Sequence, residues 1–130
     1  MNDKDLFRLE HIRNSIEKIE YLVRMLHTQD NFETKWIEQD AIIRNLEIIG
    51  EAAINISDDL KRNYPDVSWK EIKGMRNVVT HQYFGVELSE IWSTVINDIP
   101  LLKKQIQKII EDMGNSDKGN KNGIAVFGNK

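Results

Sequence analysis

The 130-residue sequence predicts an all-α fold: an antiparallel bundle of about four to five helices with an irregular C-terminal tail. Three observations carry this. Apolar residues recur at alternating spacings of three and four along most of the chain, as in helices with one buried face. Helix breakers are scarce, with two prolines and seven glycines, four of those glycines lying beyond residue 113. Hydrophobic residues make up 40% and charged residues 30%, a balance that lets one domain bury a core without cross-links. The domain is assigned to residues 1–113 and the Gly/Asn/Lys-rich tail to residues 114–130.

The first helix carries Leu9, Ile12, Ile16, Ile19, Val23 and Leu26, widened by Leu22 and Met25. Asp3 or Asp5 opens it, and it runs to about Thr28. The second carries Ile42, Leu46, Ile49, Ala53 and Ile56, with Trp36 one or two turns earlier and Asp30 or Asn31 as its N-cap. Between Asp58 and Ser68 the period fails, and Tyr64-Pro65-Asp66 marks a loop. Ser68-Trp69-Lys70-Glu71 fits a capping box, in which the serine and glutamate satisfy each other's backbone donors. A third helix begins there, with Trp69, Ile72, Met75 and Val79 inward, and ends or bends at Phe84-Gly85. The last helix keeps its period from Leu88 through Trp92, Val95, Ile99, Leu102, Ile106 and Ile109 to Met113. Pro100 lies inside it and predicts a kink.

Several function classes are excluded at once. The chain has no cysteine, so disulfides, thiolate nucleophiles and cysteine-bound zinc are impossible. That absence suits the cytoplasm, the expected location. No apolar run approaches the roughly 18 residues of a membrane span, and the N-terminal residues do not form a signal peptide. With 18 Lys+Arg against 21 Asp+Glu, the formal net charge is −3, which argues against bulk coating of nucleic acid. A small basic site on an acidic body remains open.

Chemistry concentrates at one place. His11 and His27 stand alone and read as surface or capping residues, and no histidine and carboxylate spacing suggests a metal site. His81 has company, in the run Arg76-Asn77-Val78-Val79-Thr80-His81-Gln82-Tyr83. On an ideal helix Arg76, Thr80 and Tyr83 share one face, and Asn77 and His81 another. Arg76 and His81 then cooperate only if the arginine wraps around, the helix bends, or a second copy brings its own pair. The plain alternative is a capping histidine below a surface arginine. Lys61, Arg62, Lys70, Lys73 and Arg76 form a loose basic ridge leading to this run, opposed only by Asp66 and Glu71. Gly50 sits mid-helix, where glycine is costly, and implies close approach of another backbone, a second copy's being one candidate. Glu51 beside it has Arg44 and Arg76 as pairing candidates, although a solvated glutamate is the plainer reading.

Arg76, His81 and Tyr83 match the R-x4-H-x-Y signature, and on this the sequence resembles the HEPN superfamily. It is most similar to the HepT-like toxins, which pair with minimal nucleotidyltransferase (MntA-like) antitoxins. The flanks agree: Trp69-Lys70-Glu71-Ile72 and Gly74-Met75-Arg76-Asn77 before the motif, Tyr83-Phe84-Gly85-Val86 after it. Asn45-Leu46-Glu47, Gly50-Glu51-Ala52, Ile91-Trp92 and Asp98-Ile99-Pro100 add to the likeness, which covers about residues 5 to 113.

The resemblance implies a HEPN-like helical domain that forms a homodimer, with a composite active site where two motifs face each other. It also implies the toxin of a type VII-like toxin–antitoxin system, a metal-independent endoribonuclease working by attack of the RNA 2′-hydroxyl. In that reading Arg76 and His81 are catalytic, Asn77 supports them, and Lys70 and Lys73 bind RNA. The nucleotidyltransferase antitoxin would transfer AMP from ATP onto Tyr83; the toxin itself would need no cofactor. The alternative is a non-catalytic helical module that binds RNA or the nucleotidyltransferase.

Overall fold

Leu9, Ile12, Ile16, Ile19 and Leu26 are all buried on one face of α1, Asp3–Leu26. The computed structural model describes residues 3–77 and 87–125, the side chains of 116–125 excepted. After α1 come α2 (Gln29–Thr34), α3 (Trp36–Ile54), α4 (Asp58–Asn63) and α5 (Trp69–Gly74). A 3₁₀ turn, Met75–Asn77, leads out of α5. Then α6 (Leu88–Ser93), a π turn at Thr94–Asp98 and α7 (Ile99–Ala125) follow one another without a break. The fold is an all-α bundle, as the periodicity predicts.

The element at the centre is α3. It packs on α1, α2, α5 and the 3₁₀ turn, while α7 packs on α1 and α6 on α2. Ile42, Leu46, Ile49 and Ala53 of α3 join the α1 stripe in the core, and Val95, Ile99, Leu102, Ile106 and Ile109 close it from α7 and the π turn. Each such Val, Leu or Ile side chain, removed from water, contributes about 1.5–3 kcal/mol. Phe32 of α2 lies against Trp92 of α6 with ring centroids 5.4 Å apart.

Polar groups fix the joints between helices. Asp5, only 2% exposed, accepts hydrogen bonds from the Ser57 N–H at 2.9 Å and the Ser57 hydroxyl at 2.6 Å. Ser57 Oγ in turn accepts from the Leu60 N–H at 3.2 Å, so the first residues of α1 hold the N-cap of α4. The Gln39 amide donates to the carbonyls of Phe32 and Glu33 and so satisfies the end of α2 from within α3. Tyr64 donates to Asp112 on α7 at 2.7 Å, and Lys103 on α7 pairs with Glu20 on α1 at 2.9 Å.

The structure departs from the sequence reading at six points, each with a physical cause. The second helix is two helices: His27 takes a left-handed φ of 67° and ends α1, Thr28 caps α2 by accepting from the Asn31 N–H, and the chain bends at Lys35. Asp30 and Asn31 therefore sit inside α2, where the Asn31 amide donates to the Leu26 carbonyl at 2.6 Å. Trp36 stands at the start of α3, 67% exposed, rather than in its stripe. The segment after Asp58 holds a helix, α4, too short to show a period. Ser68 makes no side-chain cap, because its N-cap conformation (φ −81°, ψ 68°) differs from the extended one of Thr28 and Ser57; its carbonyl instead accepts from the Ile72 N–H. Before Pro100 the helix widens into the π turn, where the Ile99 N–H reaches back to the Thr94 carbonyl. Finally, helical backbone continues past Met113 to Ala125, since extending a helix already nucleated by a packed segment costs far less than starting one.

Candidate active site around Arg76

The site begins with α5, whose apolar side is pinned. Trp69 and Ile72 are buried, and the Trp69 indole N–H donates to the Tyr64 carbonyl at 3.0 Å. Lys70 and Lys73 are therefore turned to solvent. At Gly74 the α-helix tightens into the 3₁₀ turn carrying Arg76 and Asn77, and the Phe84-Gly85 end that the sequence predicts lies outside the described residues. The tighter turn lets the backbone descend onto α3.

The floor beneath Arg76 is Gly50. A Cβ added there would lie 2.3 Å from Arg76 N. The close approach that a mid-helix glycine predicts is real, and the approaching backbone is the chain's own 3₁₀ turn. Glu51 is exposed and pairs with no described residue, since Arg44 is taken by Glu47 at 2.5 Å.

Above this floor Arg76 and Asn77 are exposed, and no described carboxylate pairs with Arg76, Lys70 or Lys73. The neighbouring cations crowd one another. Lys61 is held below its ordinary pKa, first by burial and then by repulsion from Lys73, against the opposing pull of Asp58 and Asp5. Arg62, the other cation of the ridge, is instead tied to Asp59. What remains is a small cationic face of Lys61, Lys70, Lys73 and Arg76. It suits a phosphate, for which a planar guanidinium offers a fork of donors.

A cavity of about 480 Å³ lies near the turn, bounded by α3, α5, α6 and α7. Its lining carries Glu71, Glu90 and Asp98 over Leu46, Ile72 and Ile91, so its charge repels a polyanion. The cationic face is the better platform for one.

His81, Tyr83 and Thr80 lie outside the described residues, as does Val79. The arrangement of His81 and Tyr83 with Arg76 therefore stays an expectation of the sequence. Among the described residues no group of three or more His, Asp or Glu side chains could hold a metal ion, and no helix is long and apolar enough to cross a membrane. Arg76, Lys70 and Lys73, which the sequence singles out, are all exposed. From sequence Lys61 is one cation of a ridge and Asp5 a helix opener; the folded contacts add that Lys61 is repelled by Lys73 and that Asp5 holds Ser57.

Comparison with known proteins bears on the same stretch of chain. The family described as HepT-like, Ribonuclease HepT-like, matches residues 12–109. A protein of Methanocaldococcus jannaschii named "Gamma-glutamylcyclotransferase and putative RNase" is 42% identical over 120 residues, 92% of this chain and 53% of its own length. A "Probable ribonuclease HepT" of Thermococcus cleftensis is 45% identical over 101 residues, 78% of this chain and 91% of its own. A "Putative RNase" of Caldanaerobacter subterraneus subsp. tengcongensis is 39% identical over 103 residues, 79% of this chain and 91% of its own. The chain thus spans about half of the first relative and nine-tenths of the other two. No solved structure matches it. With an all-α bundle, the R-x4-H-x-Y motif and a family match over most of its length, the chain belongs to the HepT-like ribonuclease family.

Proposed function

We propose that the protein is a metal-independent endoribonuclease and the toxin of a type VII-like toxin–antitoxin pair, acting in the cytoplasm. The observation that carries this is Arg76: exposed, unpaired with any described carboxylate, seated on α3 and flanked by Lys70 and Lys73. An arginine left without a counterion at the head of an R-x4-H motif is suited to a phosphodiester. RNA-degrading activity is also what the names of the relatives declare.

In this reading the RNA backbone lies along the cationic face, and the Arg76 fork holds the scissile phosphate. His81 removes the proton from the 2′-hydroxyl as its oxygen attacks the adjacent phosphorus. The 5′-oxygen of the next nucleotide leaves and takes a proton. The products are a 2′,3′-cyclic phosphate and a free 5′-hydroxyl, so no water is consumed in the step. Imidazole is suited to both proton transfers because it titrates near neutrality. Arg76 stabilises the charge that builds on the phosphorane, a contribution of about 3–4 kcal/mol for one well-aimed donor. Asn77, beside Arg76 at the end of the turn, orients the phosphate or the imidazole. Two copies of the chain supply the full set across a dimer cleft.

Control comes from a nucleotidyltransferase antitoxin. The Tyr83 hydroxyl attacks the α-phosphorus of ATP, pyrophosphate leaves, and the AMP phosphodiester remains on the ring. That phosphodiester competes for Arg76 and repels RNA. The test uses unmodified full-length protein, its mass verified, with RNA and EDTA. Cleavage should occur, His81→Ala should abolish it, and Arg76→Ala should lower it about 100- to 1,000-fold. Equal cleavage by both variants would refute the assignment, and absence of cleavage by a tight-binding parent would favour the non-catalytic module.

A further inference from the structure

We infer that Gly50 is a positioning residue for Arg76: its missing side chain lets the backbone of the 3₁₀ turn settle on α3 and so fixes where the guanidinium stands. The inference rests on the ribonuclease reading and adds a residue to it. Gly50 is buried within α3, four residues before its end at Ile54, where neither a turn nor a left-handed conformation calls for glycine. Helix interiors favour alanine over glycine, so the choice has another cause.

That cause is contact with backbone. A Cβ at position 50 would lie 2.3 Å from Arg76 N, 3.0 Å from Arg76 Cα and 3.0 Å from the Met75 carbonyl carbon, where ordinary contact begins at 3.4 Å. All three are main-chain atoms, so no rotamer change relieves the overlap. The Arg76 side chain is exposed and paired with no described carboxylate, which leaves the seat of its backbone as the main fixed point. An alanine at 50 would push the turn away by about 1 Å, and a misplacement of that size is enough to cost about 100-fold in rate. Gly74, two residues before Arg76, supplies the internal control, because a Cβ there meets nothing within 4 Å.

The experiment compares the full chain with Gly50→Ala, Gly74→Ala, Arg76→Ala and the double variant Gly50→Ala/Arg76→Ala. Three readouts are taken: single-turnover cleavage of a fluorescent RNA, affinity for a 2′-O-methyl RNA that lacks the attacking hydroxyl, and the Arg76 backbone amide resonance. Gly50→Ala should cleave about 100-fold more slowly and move the Arg76 amide; Gly74→Ala should do neither. In the Arg76→Ala background, Gly50→Ala should bring no further loss of cleavage or affinity, because it acts through the arginine. A further loss of similar size in the double variant, or parental cleavage by Gly50→Ala, would overturn the inference and leave the ribonuclease reading intact. If Gly50→Ala is unfolded under assay conditions, the comparison is made in TMAO, which favours compact states; parental cleavage there is equally fatal. A parent that does not cut RNA defeats the ribonuclease reading alone. The inference is then judged on the amide resonance, and an unmoved Arg76 amide overturns it.

Discussion

Along α3, the apolar residues Ile42, Leu46, Ile49 and Ala53 meet their neighbours through side-chain volume, whereas Gly50 meets the 3₁₀ turn through the absence of a side chain. The first contact is spread over many partners, so a lost methylene leaves a cavity and lowers stability without moving any one group far. The second is a single main-chain seat under an exposed arginine. A small change there displaces a charge. On the proposed reading, stability and chemistry lie on separate parts of one helix, and substitutions can be chosen that disturb one and spare the other.

The largest expected effect on stability is in the core. Ile16→Ala removes a fully buried side chain and should cost about 2–5 kcal/mol in urea unfolding, while activity per folded molecule stays parental. Loss of activity in a fully folded Ile16→Ala would break the separation of core from site. Next is the polar joint at α4. Asp5→Ala leaves the Ser57 N–H and hydroxyl without their acceptor and should cost about 2–3 kcal/mol by the same measurement.

A smaller effect carries a pH signature. Tyr64 is pushed up to about 12, first by burial and then by its hydrogen bond to Asp112 and that residue's charge. A raised pKa means the folded state holds the proton more tightly than the unfolded chain, whose tyrosine titrates near 10. The contribution is therefore complete below pH 10 and is lost as pH rises from about 10 to about 12. Tyr64→Phe should cost about 1 kcal/mol at pH 8 and decline less steeply than the parent between pH 10 and 12. Equal slopes would show that Tyr64 does not carry this alkaline sensitivity.

The mildest effects sharpen the charge side of the comparison. Lys73→Ala should weaken binding of single-stranded RNA across sequences alike and reduce the slope of log K against log salt by about 0.7. It should leave the melting temperature unchanged or slightly raised, because it removes the repulsion felt by Lys61. An unchanged salt slope would take Lys73 out of the RNA-binding face.

How much of this was legible in the sequence follows from the same contrast. Volume-filling contacts repeat with the helical period, so the stripes of α1, α3 and α7 and the all-α class could be read directly. The break at Lys35 was hidden because Phe32 and Ile42 are both buried, so apolar residues flank it on each side. The helix α4 was missed because six residues show no period, and because its cap is held by Asp5, 52 residues away. At the site the residue types were legible: Arg76, Lys70 and Lys73 stand on the exposed side, as the basic ridge suggests. The geometry was not, since an ideal helix through Arg76 ignores the stop at Gly74 and the descent onto Gly50. Mid-helix glycine did signal a close backbone, but a single sequence could not say whose.

The central claim is that an unpaired arginine on a backbone seat serves RNA cleavage without a metal. The most direct measurement incubates the mass-verified, unmodified full chain and its Arg76→Ala variant with a defined RNA in EDTA and identifies the fragment ends by mass spectrometry. The account expects fragments ending in a 2′,3′-cyclic phosphate from the parent and a loss of about 100- to 1,000-fold in Arg76→Ala. Cleavage at the parental rate by Arg76→Ala, or cleavage only after a divalent metal is added, would contradict it.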